Sequence, residues 1–320
     1  MRRCRRGGSQ RAALHLAPGR IASVARACCC LHAGQSGCHP QDAQGHQTMA
    51  GKHIADCRGG ALTQTPARRG FFRETAMRVE AMWWRDTPPP LLLRWASRIY
   101  AIINRRNLAR RASAATRPAI PLISVGNITV GGSGKTPFVI WLCEELTRRG
   151  YRPVVLSRGD GGNLQNPRRI LPGDAAGQVG DEALLLALRC HAPVIAGRDR
   201  VAGCRLAEKL GDVIVLDDGF QYRQLGRSCD IVLIPDEGAG NGHLLPAGPL
   251  RETPAALARA DLLVRTGSRQ AEPLSSKHEW RWQAEAQAIQ ALRGAETPAT
   301  GPCLALAGIA RAERFFSAAA

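Results

Sequence analysis

The chain is poor in the features that would assign it to several large classes. No unbroken apolar core follows the arginine cluster at its start, which excludes a secretory signal. The apolar run within "PPPLLLRWASRIYAIINRRNLARR" falls far short of the about 20 residues that a bilayer-spanning helix needs. Zinc-ligand spacing is missing among the five of its 11 cysteines that lie beyond residue 76. These five (Cys143, Cys190, Cys204, Cys229 and Cys303) stand singly in apolar or helical stretches. That is the pattern of reduced, buried thiols in a cytosolic body rather than of a disulfide scaffold. Acidic residues are scarce, 26 against 44 Lys and Arg, for a net charge of +18 over 320 residues.

Such an imbalance usually points to nucleic acid or an anionic membrane. Its distribution is more telling. Residues 1–76 carry a net +9 and residues 77–118 a net +7, whereas everything from Ala119 onward carries only +2. The near-neutral body argues against a nucleic-acid-binding domain. Residues 1–76 also lack any sustained helix or strand period. They are expected to be disordered chain, translated upstream of a native start at Met77 or Met82. A basic transit peptide, or a metal site from Cys28, Cys29, Cys30, His32, Cys38 and His39, are the alternatives.

The first clear period lies within residues 77–118. Leu92, Trp95, Ile99 and Ile102 share one helical face, and Arg94, Arg98 and Arg105 another. An apolar face with tryptophan, flanked by arginines, suits a helix lying in the headgroup region of an anionic leaflet. Equally, it suits a helix packed on the body with its basic face solvated. Beyond Pro118, β-branched apolar runs ("IPLISVGN", "RPVVLSRG", "APVIAG", "GDVIVLDDG", "DIVLIPD", "ADLLVRTG") alternate with helix-length segments. This predicts an α/β fold with a doubly wound, mostly parallel sheet over 119–275. A period-two pattern at "EWRWQAEAQAI" predicts that a smaller C-terminal α/β unit opens within 276–320.

The first strand runs into "VGNITVGGSGKTP". The strict phosphate-loop pattern G-x-x-x-x-G-K-S/T is not met, because Thr129 stands where its first glycine belongs. The cradle is nevertheless present. Gly131, Gly132 and Gly134 let backbone N–H groups turn toward phosphate oxygens, and the following helix adds its positive end. Lys135 can reach β- and γ-phosphates, and the Thr136 hydroxyl can hold Mg²⁺. Asp217 and Asp218 leave the end of a buried strand, where open α/β sheets place their ligands and where a carboxylate can bind Mg²⁺. Asp181 and Glu182 open a helix; they are favourable first-turn charges, or one of them is a general base. In "GRDRV", Arg198 or Arg200 can stabilise charge on a transferred group, or merely begin a charged helix. The loops "SRGDGG" and "GAGNGHLLPAGPLRE", with Arg158, Asn241, His243, Arg251 and Glu252, are of the kind that closes over substrates.

Taken in order, "VGNITVGGSGKTP", "SRG" with "GG", "VGDE", "GRDRV", "DDGFQ", "NGHLLPAGPLRE" and "LAGIARAERFF" resemble the tetraacyldisaccharide 4′-kinases of lipid A biosynthesis from about Trp84 onward. The resemblance makes Thr129 a family marker. It implies a P-loop kinase that moves the γ-phosphate of ATP to the 4′-hydroxyl of a lipid A disaccharide 1-phosphate, with Mg²⁺. It also implies peripheral attachment to anionic lipid at the cytoplasmic face of a Gram-negative inner membrane through Leu91–Arg106, and no obligate protein partner. By the same match Thr129, Val130, Gly131, Gly132, Ser133, Gly134, Lys135, Thr136 and Gln221 contact ATP. Thr136, Glu182, Asp217 and Asp218 surround the metal, Asp181 is the base, and Arg198 lines the site. Two positions depart from the family pattern, Tyr222 (commonly His) and Asp160 (commonly aromatic). The family also continues past "RAERFF" into a histidine-bearing segment, so a truncated and inactive product is one alternative. A membrane-associated ATPase switch is another, but its signature lysine is replaced here by Val130.

Overall fold

A computed structural model of the chain describes residues 82–85, 88–267, 274 and 279–283. All of these belong to one compact unit, His53–Ala320; the other, Met1–Lys52, lies outside the described residues. The expectations for residues 1–76, for Cys303 and for the "LAGIARAERFF" string therefore fall outside as well.

Proline precedes the first long helix. Pro90 holds an extended conformation immediately before helix α1 (Leu91–Ser113). The helix runs past Arg106, because Asn107–Ser113 contains no glycine or proline to stop it. Strand β1 (Leu122–Asn127), buried at every position, leads through the glycine-rich turn into α2 (Lys135–Arg148). Helix α2 takes in Lys135 and Thr136 ahead of Pro137. Gly134 adopts φ 74° at its N-cap, a conformation glycine reaches without penalty. Lys135 and Thr136 thereby sit in the first helical turn. Strand β2 (Pro153–Ser157) follows, then a short strand β3 (Arg168–Ile170), a single helical turn α3 (Ala176–Val179) and helix α4 (Asp181–Arg189).

Next come β4 (Val194–Ala196) and α5 (Arg200–Ala207). Asp199 caps the latter by accepting from the amides of Val201 and Ala202, so the helix starts at Arg200. Strands β5 (Val213–Asp217), β6 (Cys229–Pro235), β7 (Leu262–Thr266) and β8 (Glu279–Trp282) complete the order, with a 3₁₀ turn at Pro254–Arg259.

The eight strands form a single sheet in the order β3-β4-β2-β5-β1-β6-β7-β8. Every pairing is parallel except β3 with β4, so the α/β expectation of a mostly parallel sheet is met. The period-two segment "EWRW" supplies β8, which pairs in parallel with β7 and extends the large sheet, and the remainder of the C-terminal unit expected within 276–320 lies outside the described residues. Its Glu279 neutralises the buried Arg265 of β7 at 2.7 Å, which ties the edge strand to the interior.

Central strands buried on both faces read as continuous Val/Ile/Leu runs rather than alternating ones. Leu122, Val154, Leu156, Ile195, Ile214 and Leu216 form one cluster with Cys204 and Ala207 of α5. Ile128, Phe220, Val232, Ile234, Leu250, Leu257 and Leu263 form another. The sheet order puts β1 between β5 and β6, so the turns leaving β1 and β5 emerge side by side at the carboxyl edge.

Candidate active site

Gly126, next to last in β1, sets the closeness of those two turns. A Cβ there would lie 2.6 Å from Phe220 Cβ and 2.7 Å from the Phe220 amide nitrogen. Only glycine lets the segment after β5 pack this tightly on β1. Above it, the glycine-rich loop is held from outside. The Val130 amide donates to the Pro249 carbonyl at 2.8 Å, the Arg251 amide donates to Ile128 O at 2.7 Å, and Thr129 bridges Leu250. Thr129 is buried and its hydroxyl faces the Asn127 amide at 3.4 Å. A threonine is thus part of the packing where a glycine stands in the strict pattern. On the other flank Thr266 of β7 donates to Ser133 O at 3.0 Å. Gly131 (φ 97°) and Gly134 turn the chain between these anchors, with Gly132 half-buried beside them.

The charged groups meet at this edge. Lys135 Nζ lies 3.2 Å from Asn127 Oδ1 and 3.4 Å from Asp218 Oδ1. Thr136 Oγ1 donates to Glu182 Oε1 at 2.7 Å, joining the first turn of α2 to that of α4. Asp181 starts α4 exposed; its Oδ1 accepts the Glu182 amide at 2.9 Å. Gln221 donates to Asn127 O at 2.9 Å and to Glu252 Oε1 at 3.3 Å.

The two aspartates differ sharply. Asp217 ends β5 at 2% exposure, with Ser157 Oγ 3.5 Å from its Oδ2 and, among the described residues, no hydrogen-bond partner for Oδ1. Burial, then the negative charge of Glu182, pushes its carboxyl up to about 7 against the pull of Lys135. Asp218 adopts φ 45°, a left-handed conformation that turns its side chain toward two cations. Arg251 Nη1 reaches its oxygens at 2.8 and 3.1 Å. Burial alone would raise that carboxyl, but Lys135, Arg251 and Arg200 outweigh it and hold it at about 2. One carboxylate is already neutralised by ion pairs with Lys135 and Arg251; the other is held dry, and among the described residues no cation pairs with it directly.

Most of the residues expected at a site are therefore brought together: the loop, Lys135, Thr136, Glu182, Asp217, Asp218 and Gln221, with Asp181 at the rim. Arg198 is not. It is exposed and makes no hydrogen bond or ion pair among the described residues. Arg200, two residues on, is 3% exposed and donates to both Asp217 O and Asp218 O at 3.1 Å, with its guanidinium 4.8 Å from the Tyr222 ring. The Asp199 cap decides this, since it makes Arg200 the first helical residue, directed back at β5. Tyr222, one of the two departures, is thus the platform for this arginine. Asp160, the other, pairs with Arg158 at 3.2 Å in solvent. Asn127 and Ser157, buried polar side chains at strand ends, were not singled out by sequence; a polar residue closing an apolar strand was the available signal.

Helix α1 docks on the segment Leu244–Arg251, and its orientation is unexpected for a helix packed by its apolar stripe. Leu91, Leu92, Trp95, Ile99, Ile102 and Ile103 are all exposed, by between 54% and 80%. What docks is a polar stripe. Ser97 Oγ donates to Leu244 O at 2.6 Å, Tyr100 Oη to Arg251 O at 3.3 Å and Asn104 Nδ2 to Arg251 O at 2.8 Å. Among the described residues no helix is long and apolar enough to cross a membrane.

A doubly wound sheet whose first turn is a glycine-rich cradle, facing acids that leave the neighbouring strand, defines a class: α/β proteins that handle phosphate at the carboxyl edge of the sheet. The family model described as tetraacyldisaccharide-1-P 4′-kinase, LpxK, matches residues 90–319. A tetraacyldisaccharide 4′-kinase of Herminiimonas arsenicoxydans is 38% identical over 281 residues, 80% of this chain and 76% of the relative. Its counterpart in Aeromonas hydrophila is 39% identical over 249 residues, 75% of this chain and 73% of the relative. The crystal structure of "apo" form LpxK from Aquifex aeolicus in complex with ATP is similar at a TM-score of 0.53 and 35% identity. That match covers 58% of this chain and 62% of the solved one. The chain belongs to the tetraacyldisaccharide 4′-kinase family.

Proposed function

We propose that this chain is an ATP-dependent kinase that transfers the γ-phosphate of ATP to the 4′-hydroxyl of tetraacyldisaccharide 1-phosphate, a lipid A precursor. The observation that carries the reading is the convergence of Lys135, Thr136, Glu182, Asp217 and Asp218 on one glycine-rich turn, in a chain of this family. The loop Thr129–Thr136 cradles the phosphates. Lys135, at present shared between Asn127 and Asp218, turns to the β- and γ-phosphate oxygens. Gln221 borders the same pocket. The general base is Asp181, at the rim where an acceptor hydroxyl arrives. Its Oδ2 makes no hydrogen bond among the described residues. Transfer then needs positioning and charge neutralisation and no covalent intermediate.

The donor set fits Mg²⁺. Among the described residues Asp217 Oδ1 is a buried oxygen without a hydrogen-bond partner, on a carboxyl pushed up to about 7, which is the state a nearby cation would relieve. Among the described residues no three His, Cys, Asp or Glu side chains form a ready cage, in keeping with an ion that keeps waters and phosphates among its ligands. Thr136, Glu182, Asp217 and Asp218 would hold it, and once bound it would neutralise charge on the nucleotide phosphates.

The exposed apolar stripe of α1, with Arg94, Arg98 and Arg105 exposed beside it, supports a helix lying in an anionic lipid surface. Together with a lipid acceptor, it supports work at the cytoplasmic face of a Gram-negative inner membrane. The test is to incubate the purified chain with ATP, the acceptor in mixed micelles and either Mg²⁺ or EDTA, and to weigh the lipid. A gain of one phosphate that requires Mg²⁺ supports the reading. ATP consumption with unchanged lipid mass overturns it.

A further inference from the structure

The stripe by which α1 docks leads into the site. Tyr100 and Asn104 both donate to a single backbone oxygen, that of Arg251. The side chain of the same residue grips Asp218, and its amide is bonded to Ile128 at the root of the glycine-rich loop. Ser97 holds the preceding stretch from two sides, donating to Leu244 O and accepting from the Ala247 amide at 3.2 Å. Arg251 is thus fixed by helix α1 at its carbonyl, by the loop root at its amide and by Asp218 at its guanidinium.

We propose that Asn104 and Tyr100 are positioning residues for phosphoryl transfer: by holding the Arg251 carbonyl they keep its guanidinium on Asp218, so the helix with the apolar face also aligns the site. This rests on the kinase reading above. Neither side chain touches the nucleotide cradle itself. Their effect is exerted through Arg251, and a carbonyl held by two donors leaves that residue little freedom to swing away. A helix seated on lipid by its other face would steady the same contact.

The test uses the full chain with ATP, Mg²⁺ and the lipid acceptor in mixed micelles, comparing wild type, Asn104→Asp, Asn104→Gln and Tyr100→Phe combined with Asn104→Asp. Asn104→Asp removes the N–H donor at constant shape; Asn104→Gln retains a donor. The double variant is expected to lose on the order of tenfold in kcat, with KM for both substrates within about twofold. Its melting midpoint should fall by only a few degrees, as about two lost hydrogen bonds require, and its vesicle binding should stay near wild type. Asn104→Gln should recover most of the kcat lost in Asn104→Asp. A double variant with wild-type kcat overturns the proposal, as does a loss tracking a larger fall in melting midpoint or confined to lipid KM. Absence of lipid phosphorylation by the wild type defeats the kinase reading instead, so the two failures are distinct.

Discussion

Asp217 is a place where function should oppose stability, and the size of the conflict follows from its surroundings. Its carboxyl is 2% exposed and rises from 3.8 to about 7, chiefly through burial. A carboxyl whose folded value lies above its unfolded one favours folding while protonated and loses that advantage as pH rises. The penalty is absent below about pH 4, grows between pH 4 and 7, and is complete above that. At about 1.4 kcal/mol per tenfold change in proton affinity, it reaches at most about 4 kcal/mol. Asp217→Asn should therefore stabilise the metal-free protein at pH 8, by an increment on the order of 10 °C in melting midpoint at the upper limit. The gain should vanish near pH 4, and activity should be lost. Thermal or urea unfolding of both proteins in EDTA across pH 4–8 measures this. An equal gain at both ends of the range, or none at pH 8, would refute the account of Asp217 as a carboxylate held dry for a cation.

Three other expectations can be checked together. Gly126→Ala forces a methyl to within 2.6 Å of Phe220 Cβ and against its amide nitrogen, neither of which can rotate away. Unfolding should show a loss of about 1–3 kcal/mol. Thr136→Val removes the 2.7 Å hydrogen bond to Glu182 and one of the candidate metal oxygens while preserving shape. It should raise the Mg²⁺ concentration required for half-maximal activity, while unfolding changes by only about 1 kcal/mol. Glutamate at both Trp95 and Ile99, which are 61% and 59% exposed, should leave the melting midpoint near wild type but abolish flotation with anionic vesicles. A matching drop in melting midpoint would mean that the apolar face is packed after all.

How much of this could be read from residue order depends on the kind of signal involved. Strands buried on both faces announce themselves as apolar runs, so β1, β2, β4, β5 and β7 fall within "IPLISVGN", "RPVVLSRG", "APVIAG", "GDVIVLDDG" and "ADLLVRTG", and β6 starts one residue ahead of "DIVLIPD". Strand β3 was hidden, since three residues with two arginines at an antiparallel edge carry no period. The membership of β8 is a matter of pairing, and an alternating pattern says how a strand is exposed rather than which sheet it joins.

At the site, the cradle and its acids were legible because strand–turn–helix chemistry is local. The choice between Arg198 and Arg200 was not, because it depends on which residue Asp199 leaves as the first of the helix. Helix α1 was legible as a helix yet ambiguous in its docking. The decisive pattern was present but polar: Ser97, Tyr100 and Asn104 recur at helical spacing, and it is they, with buried Leu108, that face the body. A search for apolar periodicity passes over such a stripe.

The central claim is that the turn after β1 delivers a phosphate to a lipid hydroxyl rather than to water. The most direct measurement is transfer from γ-labelled ATP to tetraacyldisaccharide 1-phosphate by the wild type and by Lys135→Ala, following lipid label and free phosphate together. The account predicts label at the 4′ position in the wild type, with transfer at least about 100-fold slower in the variant. Label appearing only as free phosphate, or lipid label undiminished in Lys135→Ala, would contradict it.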